Sequence, residues 1–194
     1  MAGTCHQEVS SPAPVRTFLR CAHYIFFFAG LLALTYVGFV LVETQMYQAD
    51  QSRQLEHAAK LGLRAPPTGV VIGRVKIPRI GLEAIVVQGD CEKILRLAVG
   101  HFPGTALPGQ RGNMVLAGHR DTFFRALRDI REGDRIVIES PNGSYDYEVE
   151  SASIVSPTDL SVLRNSGNKE LTLITCYPFS WIGSAPDRFV VRAR

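Results

Sequence analysis

Between Cys21 and Val42 the chain carries no charged residue, and the core of this run, Tyr24-Ile25-Phe26-Phe27-Phe28 through Val40-Leu41-Val42, is long enough to cross a hydrocarbon layer as a helix. Such a segment either spans a bilayer or is hidden inside a large protein, and 194 residues leave room for only one ordinary domain beside it. Arg16 and Arg20 precede the run, and Glu43 and Asp50 follow it. The positive-inside tendency therefore predicts a cytoplasmic tail over 1–20, a retained signal anchor over 21–42 and an exterior for everything beyond Glu43. A cleaved signal peptide would have a shorter apolar region and a small-x-small site just beyond Val42, and no such site is found there.

The net charge is +3, with bases scattered among acids and no long basic run, so a nucleic-acid-binding surface has no support. The four cysteines are Cys5, Cys21, Cys91 and Cys176, and only the last two fall in the exterior part. That is not a disulfide scaffold; a Cys91–Cys176 bridge is arithmetically open and would silence the thiol. A zinc site from these two with His101 and His119 is disfavoured because no short C-x-x-C pair is present.

Thr44 to Leu61 is polar, contains alanine and glutamine and is free of Gly and Pro, which suits a helical stalk, and Arg64-Ala65-Pro66-Pro67 cannot continue a helix. A stalk and linker over 43–67 and a folded domain over 68–194 follow. The domain reads as mostly β. Residues 69–77 alternate Val71, Gly73, Val75 and Ile77 against Ile72, Arg74 and Lys76, and 82–87 form a second apolar run. Residues 90–97 read as a short helix with Asp90 as N-cap, then 99–112 as a Gly- and Pro-rich loop. Residues 113–117 are a short buried strand, and 122–130 one or two helical turns with Phe123, Phe124 and Leu127. Segments 135–139 and 145–155 flank the hairpin signal Pro141-Asn142-Gly143, and 171–175 and 188–192 are the last strands. About eight short strands with few helices imply one antiparallel or mixed β domain.

The chemistry gathers near the C-terminus, where Thr172-Leu173-Ile174-Thr175-Cys176 ends an apolar strand in a lone thiol. A thiol with the ordinary pKa of about 8.5 is only a few per cent ionised at neutral pH, so a cysteine nucleophile needs a proton-transfer partner and a fixed positive charge. His119 beside Gly118 can supply the first. His6, His23 and His57 lie in the tail, at the membrane boundary and on the stalk, while His101 is either a satisfied loop residue or a substrate-side one. Arg188 opens the last strand, and Arg192, four positions on and on the same strand face, is the alternative guanidinium. Cysteine, histidine and arginine together suggest acyl transfer. Cys91 stands in no comparable surroundings, and its ordinary reading is a surface thiol.

The run 172–176 resembles the Thr-Leu-x-Thr-Cys signature of sortases, the membrane-anchored cysteine transpeptidases. Leu116-Ala117-Gly118-His119-Arg120-Asp121-Thr122-Phe123-Phe124 is similar to the segment that carries their histidine, and the likeness continues through 100–109 and 184–191, covering roughly 69 to 194. The resemblance implies a closed eight-stranded β-barrel with short helices, with Cys176 as nucleophile, His119 as acid/base and Arg188 as the guanidinium. It also implies a groove for the substrate peptide; Thr175 and Tyr177 are candidate lining residues, His101 is a further candidate on the substrate side, and no cofactor is expected. The implied partners are secreted proteins bearing a Leu-Pro-x-Thr-Gly-like C-terminal sorting signal and an amine acceptor on the envelope or another protein. A short connection over 156–170, no Asp-Pro lid sequence and no second apolar run near the C-terminus point to a class D-like member. Two other readings use the same residues: a peptidase of the same fold in which water resolves the intermediate, and an inert membrane-tethered binding module. No G-x-S-x-G, H-E-x-x-H or phosphate-binding G-x-x-x-x-G-K-[ST] offers a competing chemistry.

Overall fold

Alternating apolar and polar side chains dominate the chain from Val71 onward, and they form strands. The computed structural model describes residues 23–39, 41–43, 45–46, 66–165, 167–181 and 183–194. The chain divides between Gln45 and Met46 into two units. In the first, helix α1 (His23–Glu43) carries the apolar run with its large side chains exposed, and by length and composition it suffices to cross a membrane. The tail over 1–20 and nearly all of the stalk expected over 43–67 lie outside the described residues.

The second unit is built from β1 (Val71–Ile77), β2 (Leu82–Gln88), β3 (Val99–His101), β4 (Gly112–Ala117), β5 (Arg135–Ser140), β6 (Gly143–Val155), β7 (Lys169–Tyr177) and β8 (Asp187–Ala193). They close into a barrel in the order β1-β2-β3-β4-β7-β8-β6-β5, as the family resemblance implied. Closure removes sheet edges that would otherwise pair with other chains. Inward positions repeat every second residue: Val75 and Ile77, Met114 and Leu116, Ile136 and Ile138, Leu171 and Leu173, and Val191 and Ala193 all join one buried cluster.

Two pairings are parallel, β2 with β3 and β4 with β7; the rest are antiparallel. A parallel pair needs a crossover rather than a hairpin. Helix α2 (Glu92–Leu95) lies in the first crossover, and the β5–β6 hairpin lies in the second.

Several local expectations need correction. Cys91, not Asp90, is the N-cap of α2, and no side chain caps it. The loop expected over 99–112 contains β3, whose centre must be glycine: a Cβ on Gly100 would stand 2.4 Å from the Gly89 carbonyl oxygen. The helical turns expected over 122–130 resolve into a turn and a 3-10 helix, Arg125–Asp129. The simple alternation of β1 is interrupted by a bulge between Val71 and Gly73, which buries both Val71 and Ile72.

The β1–β5 seam is reinforced from one end. Arg79, in the 3-10 turn Pro78–Ile80, donates both Nε and Nη2 to the carboxylate of the buried Asp134, the second bond at 2.6 Å. The Arg131 backbone N–H adds a third at 2.8 Å. Hydrogen bonding from Arg79 holds the Asp134 carboxyl below the ordinary range, against the opposing effect of burial. A depressed carboxylate stabilises the fold above its unfolded-state pKa, and that contribution disappears as the pH falls through the folded value. Arg79→Met, which removes two hydrogen bonds from the Asp134 carboxylate, is expected to lower the melting temperature at neutral pH. Thermal denaturation should show the gap to the wild-type protein narrowing below pH 4; equal melting temperatures at pH 7 would refute the role of the pair.

Candidate active site

Strand direction assembles the site. Because β4 and β7 run parallel, with Ala117 opposite Ile174, both finish at the same rim of the barrel. The association continues one step past the strand end: the Gly118 N–H donates to Ile174 O at 3.2 Å, and Thr175 Oγ1 donates to Gly118 O at 2.7 Å. His119 therefore follows at the level of Cys176. β8 starts at that same rim and runs antiparallel to β7, so Cys176 and Arg188 are direct register partners. Directly opposite residues share a face with Cβ atoms about 5 Å apart. Leu171 and Leu173 point into the core, so Cys176, one place out of phase with them, lies on the outer face of the barrel.

Each group is braced. The backbone N–H groups of Thr122 and Phe124 donate to the His119 carbonyl at 3.4 and 3.1 Å, and the Phe124 ring is fully buried. That ring lies so close to the chain before the histidine that a Cβ on Gly118 would stand 2.9 Å from it, so a glycine is needed at this approach. Arg188 Nη1 donates to the carbonyls of Asp187 and Ala185 at 2.9 and 3.3 Å, which pins the guanidinium at the start of β8. Cys176 is a free, half-buried thiol, and Cys91 is a free thiol on the surface. Among the described residues no three His, Cys, Asp or Glu side chains converge as a metal site.

The rest of the expected groove sorts by burial. Tyr177 stacks on Phe189 with ring centroids 6.3 Å apart, and Phe179 meets both edge-on; Phe179 and Phe189 pack against the core cluster, so this half-buried aromatic group closes the inner side of the rim, on the face of β7 opposite to Cys176. Thr175 is buried with its hydroxyl committed to Gly118, so it positions the histidine strand rather than meeting substrate. His101 is only 1% exposed. Its Nδ1 lies 2.7 Å from the Gln88 side chain, and its Nε2 lies 2.9 Å from Ala106 O and 3.0 Å from Thr105 Oγ1. The position of His101 is that of a core brace for β3 and the loop after it, not of a substrate contact. Arg192 pairs with Thr172, about 13 Å down the strand from Arg188, and its Nη2 donates to Ser161 O at 3.3 Å. It is therefore removed from Cys176.

Sequence reasoning passed over two features. Asn113 on β4 receives a hydrogen bond from Thr172 Oγ1 at 2.8 Å and donates to the carbonyls of Val162 and Arg164, tying the connection over 156–168 to the barrel wall. Arg120 is buried beside His119 and donates to Trp181 O and Gly183 O at 2.7 and 2.9 Å. An arginine in a turn reads as a surface charge, so nothing in the pattern marked it. A recess of about 260 Å³ lined by residues such as Val71, Leu107, Pro141 and Tyr145 belongs to the opposite rim, where β1 begins and β5 ends.

Solved sortases share this closed barrel, and the chain matches them in fold and in sequence. The chain belongs to the sortase family: the sortase domain model matches residues 75–194. It is 33% identical to sortase D of Bacillus subtilis (strain 168), an alignment covering 84% of this chain and 91% of that one. The Clostridium perfringens sortase D5 transpeptidase superposes with a TM-score of 0.69 at 26% identity, covering 77% of this chain and 98% of that one. Sortase A from Corynebacterium diphtheriae gives a TM-score of 0.60 at 28% identity, over 79% and 81%. The class D-like character read from the sequence agrees with the sortase D relatives.

Burial holds the His101 imidazole below its ordinary pKa, with the Ala106 carbonyl opposing this. The unfolded chain therefore binds its proton first as the pH falls, so the contribution of His101 is full above the ordinary value of 6.5 and is lost below it. Melting temperature should drop between pH 7 and pH 5 in the wild-type protein and drop less in His101→Gln. Parallel curves would show that His101 does not titrate in this window.

Proposed function

We propose that this protein is a cysteine transpeptidase that cleaves a Leu-Pro-x-Thr-Gly-like sorting signal between Thr and Gly and passes the acyl group to an amine. The observation that carries the reading is the register pairing of Cys176 with Arg188 at the rim where β4 ends two residues before His119.

In this mechanism the Cys176 thiolate attacks the Thr carbonyl carbon, and the carbonyl oxygen takes up the negative charge. The Arg188 guanidinium stabilises that oxyanion, a role for which a permanent cation held at one place is suited. Collapse of the intermediate breaks the C–N bond, and His119 delivers a proton to the departing glycine amine. The thioester left on Cys176 is then attacked by an incoming amine, whose proton returns to His119, and the thiolate leaves. The loop from Tyr177 to Asp187 lines the groove for the apolar part of the signal, supported from the inner side of the rim by the rings of Tyr177, Phe179 and Phe189; Thr175 and His101 act indirectly by holding the surrounding strands. The acyl donors are secreted proteins with such a signal near their C-terminus, and the acceptor is an amine of the envelope or of another protein. Helix α1 serves as a signal anchor, with residues 1–20 in the cytoplasm and the barrel outside.

Full-length protein in detergent micelles, mixed with a fluorogenic Leu-Pro-x-Thr-Gly peptide library and diglycine or a diamino acid, should yield a ligated product detectable by mass spectrometry. Cys176→Ala and His119→Ala should abolish it, and Arg188→Met should lower kcat/KM by about 10²–10³-fold. Cys176-dependent hydrolysis that persists at saturating amine would replace transferase with peptidase. Processing that survives Cys176→Ala would overturn the mechanism.

A further inference from the structure

The loop between β7 and β8 separates the nucleophile strand from the arginine strand, so its position sets one wall of the cleft. Much of it faces solvent: Ser180, Trp181, Gly183, Ser184 and Pro186 are exposed. Phe179 is the part that packs against the core cluster. Arg188 Nη1 reaches the Ala185 carbonyl from the start of β8, and a further attachment comes from outside the β7–β8 pair, from Arg120, next in sequence to His119. Its Nη2 reaches two loop carbonyls, Trp181 O at 2.7 Å and Gly183 O at 2.9 Å.

This guanidinium is a costly way to secure a loop. Arg120 is 6% exposed, and among the described residues its buried Nε and Nη1 have no hydrogen-bond partner. Its ion pair with Asp121 spans 3.5 Å from Nε to a carboxylate that is 69% exposed, so water screens the charge that would offset the burial. A buried charge with idle donors adds little to stability, and an apolar side chain of similar length would often serve the fold as well or better. What an apolar side chain cannot do is hold two carbonyls at once with charge-assisted bonds from one planar group. The contacts therefore serve placement: they tie the loop that follows Cys176 to the residue that follows His119.

We propose that Arg120 is a positioning residue that latches the β7–β8 loop to the histidine strand and thereby presets the wall of the peptide groove. Arg120 touches no reacting atom in this scheme. Without the latch, the loop samples other positions and the peptide must order it on binding, so the effect falls on KM more than on kcat. The catalytic consequence rests on the transpeptidase reading above, whereas the latch itself does not.

Trp181 is the only tryptophan of the chain and sits on the latched segment at 50% exposure, so it reports the loop directly. Full-length protein in micelles, as wild type, Arg120→Met and Arg120→Lys, can be compared for Trp181 fluorescence anisotropy and acrylamide quenching. The same samples then go into steady-state assays with the fluorogenic Leu-Pro-x-Thr-Gly peptides. In Arg120→Met, Trp181 anisotropy should fall, quenching should rise and KM should increase about tenfold or more, with kcat changed by less than about threefold. Arg120→Lys, with one ammonium in place of the fork, should fall between the two. Unchanged Trp181 signals in Arg120→Met would overturn the latch, and a fall in kcat at constant KM would overturn the positioning role. If the methionine variant does not fold, the lysine variant carries both readouts and the same criteria. Should the wild-type protein process none of the peptides, the transpeptidase reading fails while the Trp181 comparison still decides the latch.

Discussion

The parallel pairing of β4 with β7 is the constraint on which the rest of the site depends. An antiparallel arrangement of these two strands would place the end of one beside the start of the other, with His119 and Cys176 at opposite rims. Running parallel, both chains leave the barrel at one rim, and the antiparallel β8 begins there too. Three side chains far apart in sequence are thus brought level by hydrogen-bond register alone. The register is strongly specified, since a slip of one residue would turn Leu171 and Leu173 out of the core.

Around that register the molecule divides its labour. Inward-facing residues fill the barrel, while polar groups near the rim take backbone atoms as partners. Arg188 is held by its own loop, Arg120 holds that loop, and Thr175 ties the two central strands. Backbone carbonyls suit this work because their positions are fixed by the sheet, so each side chain bound to one inherits a defined place.

Most of the barrel was legible because short alternating segments separated by Gly and Pro announce strands, and Tyr145, Tyr147 and Val149 against Asp146, Glu148 and Glu150 marked a half-exposed arm that the structure contains. β3 was hidden because three residues carry no period, and its pairing depends on Gly100 fitting against the Gly89 backbone. Cys176, His119 and Arg188 stood out through the motifs around them; the family resemblance singled out Arg188 over Arg192, and in the pairing of β7 with β8 it is Arg188 that stands opposite Cys176. The environment of His101 was illegible, since burial among Gln88, Thr105 and Ala106 depends on contacts made by distant parts of the chain. Arg120 escaped for a related reason: a charged residue in a turn gives no sign in sequence that a loop sixty residues away will cover it.

The β4–β7 pairing also orders events in time. Its members are separated by the whole β5–β6 hairpin, so closing that gap is a long-range step that local turns and hairpins precede. β8 can dock on β7 early, through the short connection between them, whereas the histidine strand meets β7 only as the barrel completes. A chain still folding therefore brings Cys176 and Arg188 together first, and His119 joins them at the rim only when the barrel closes.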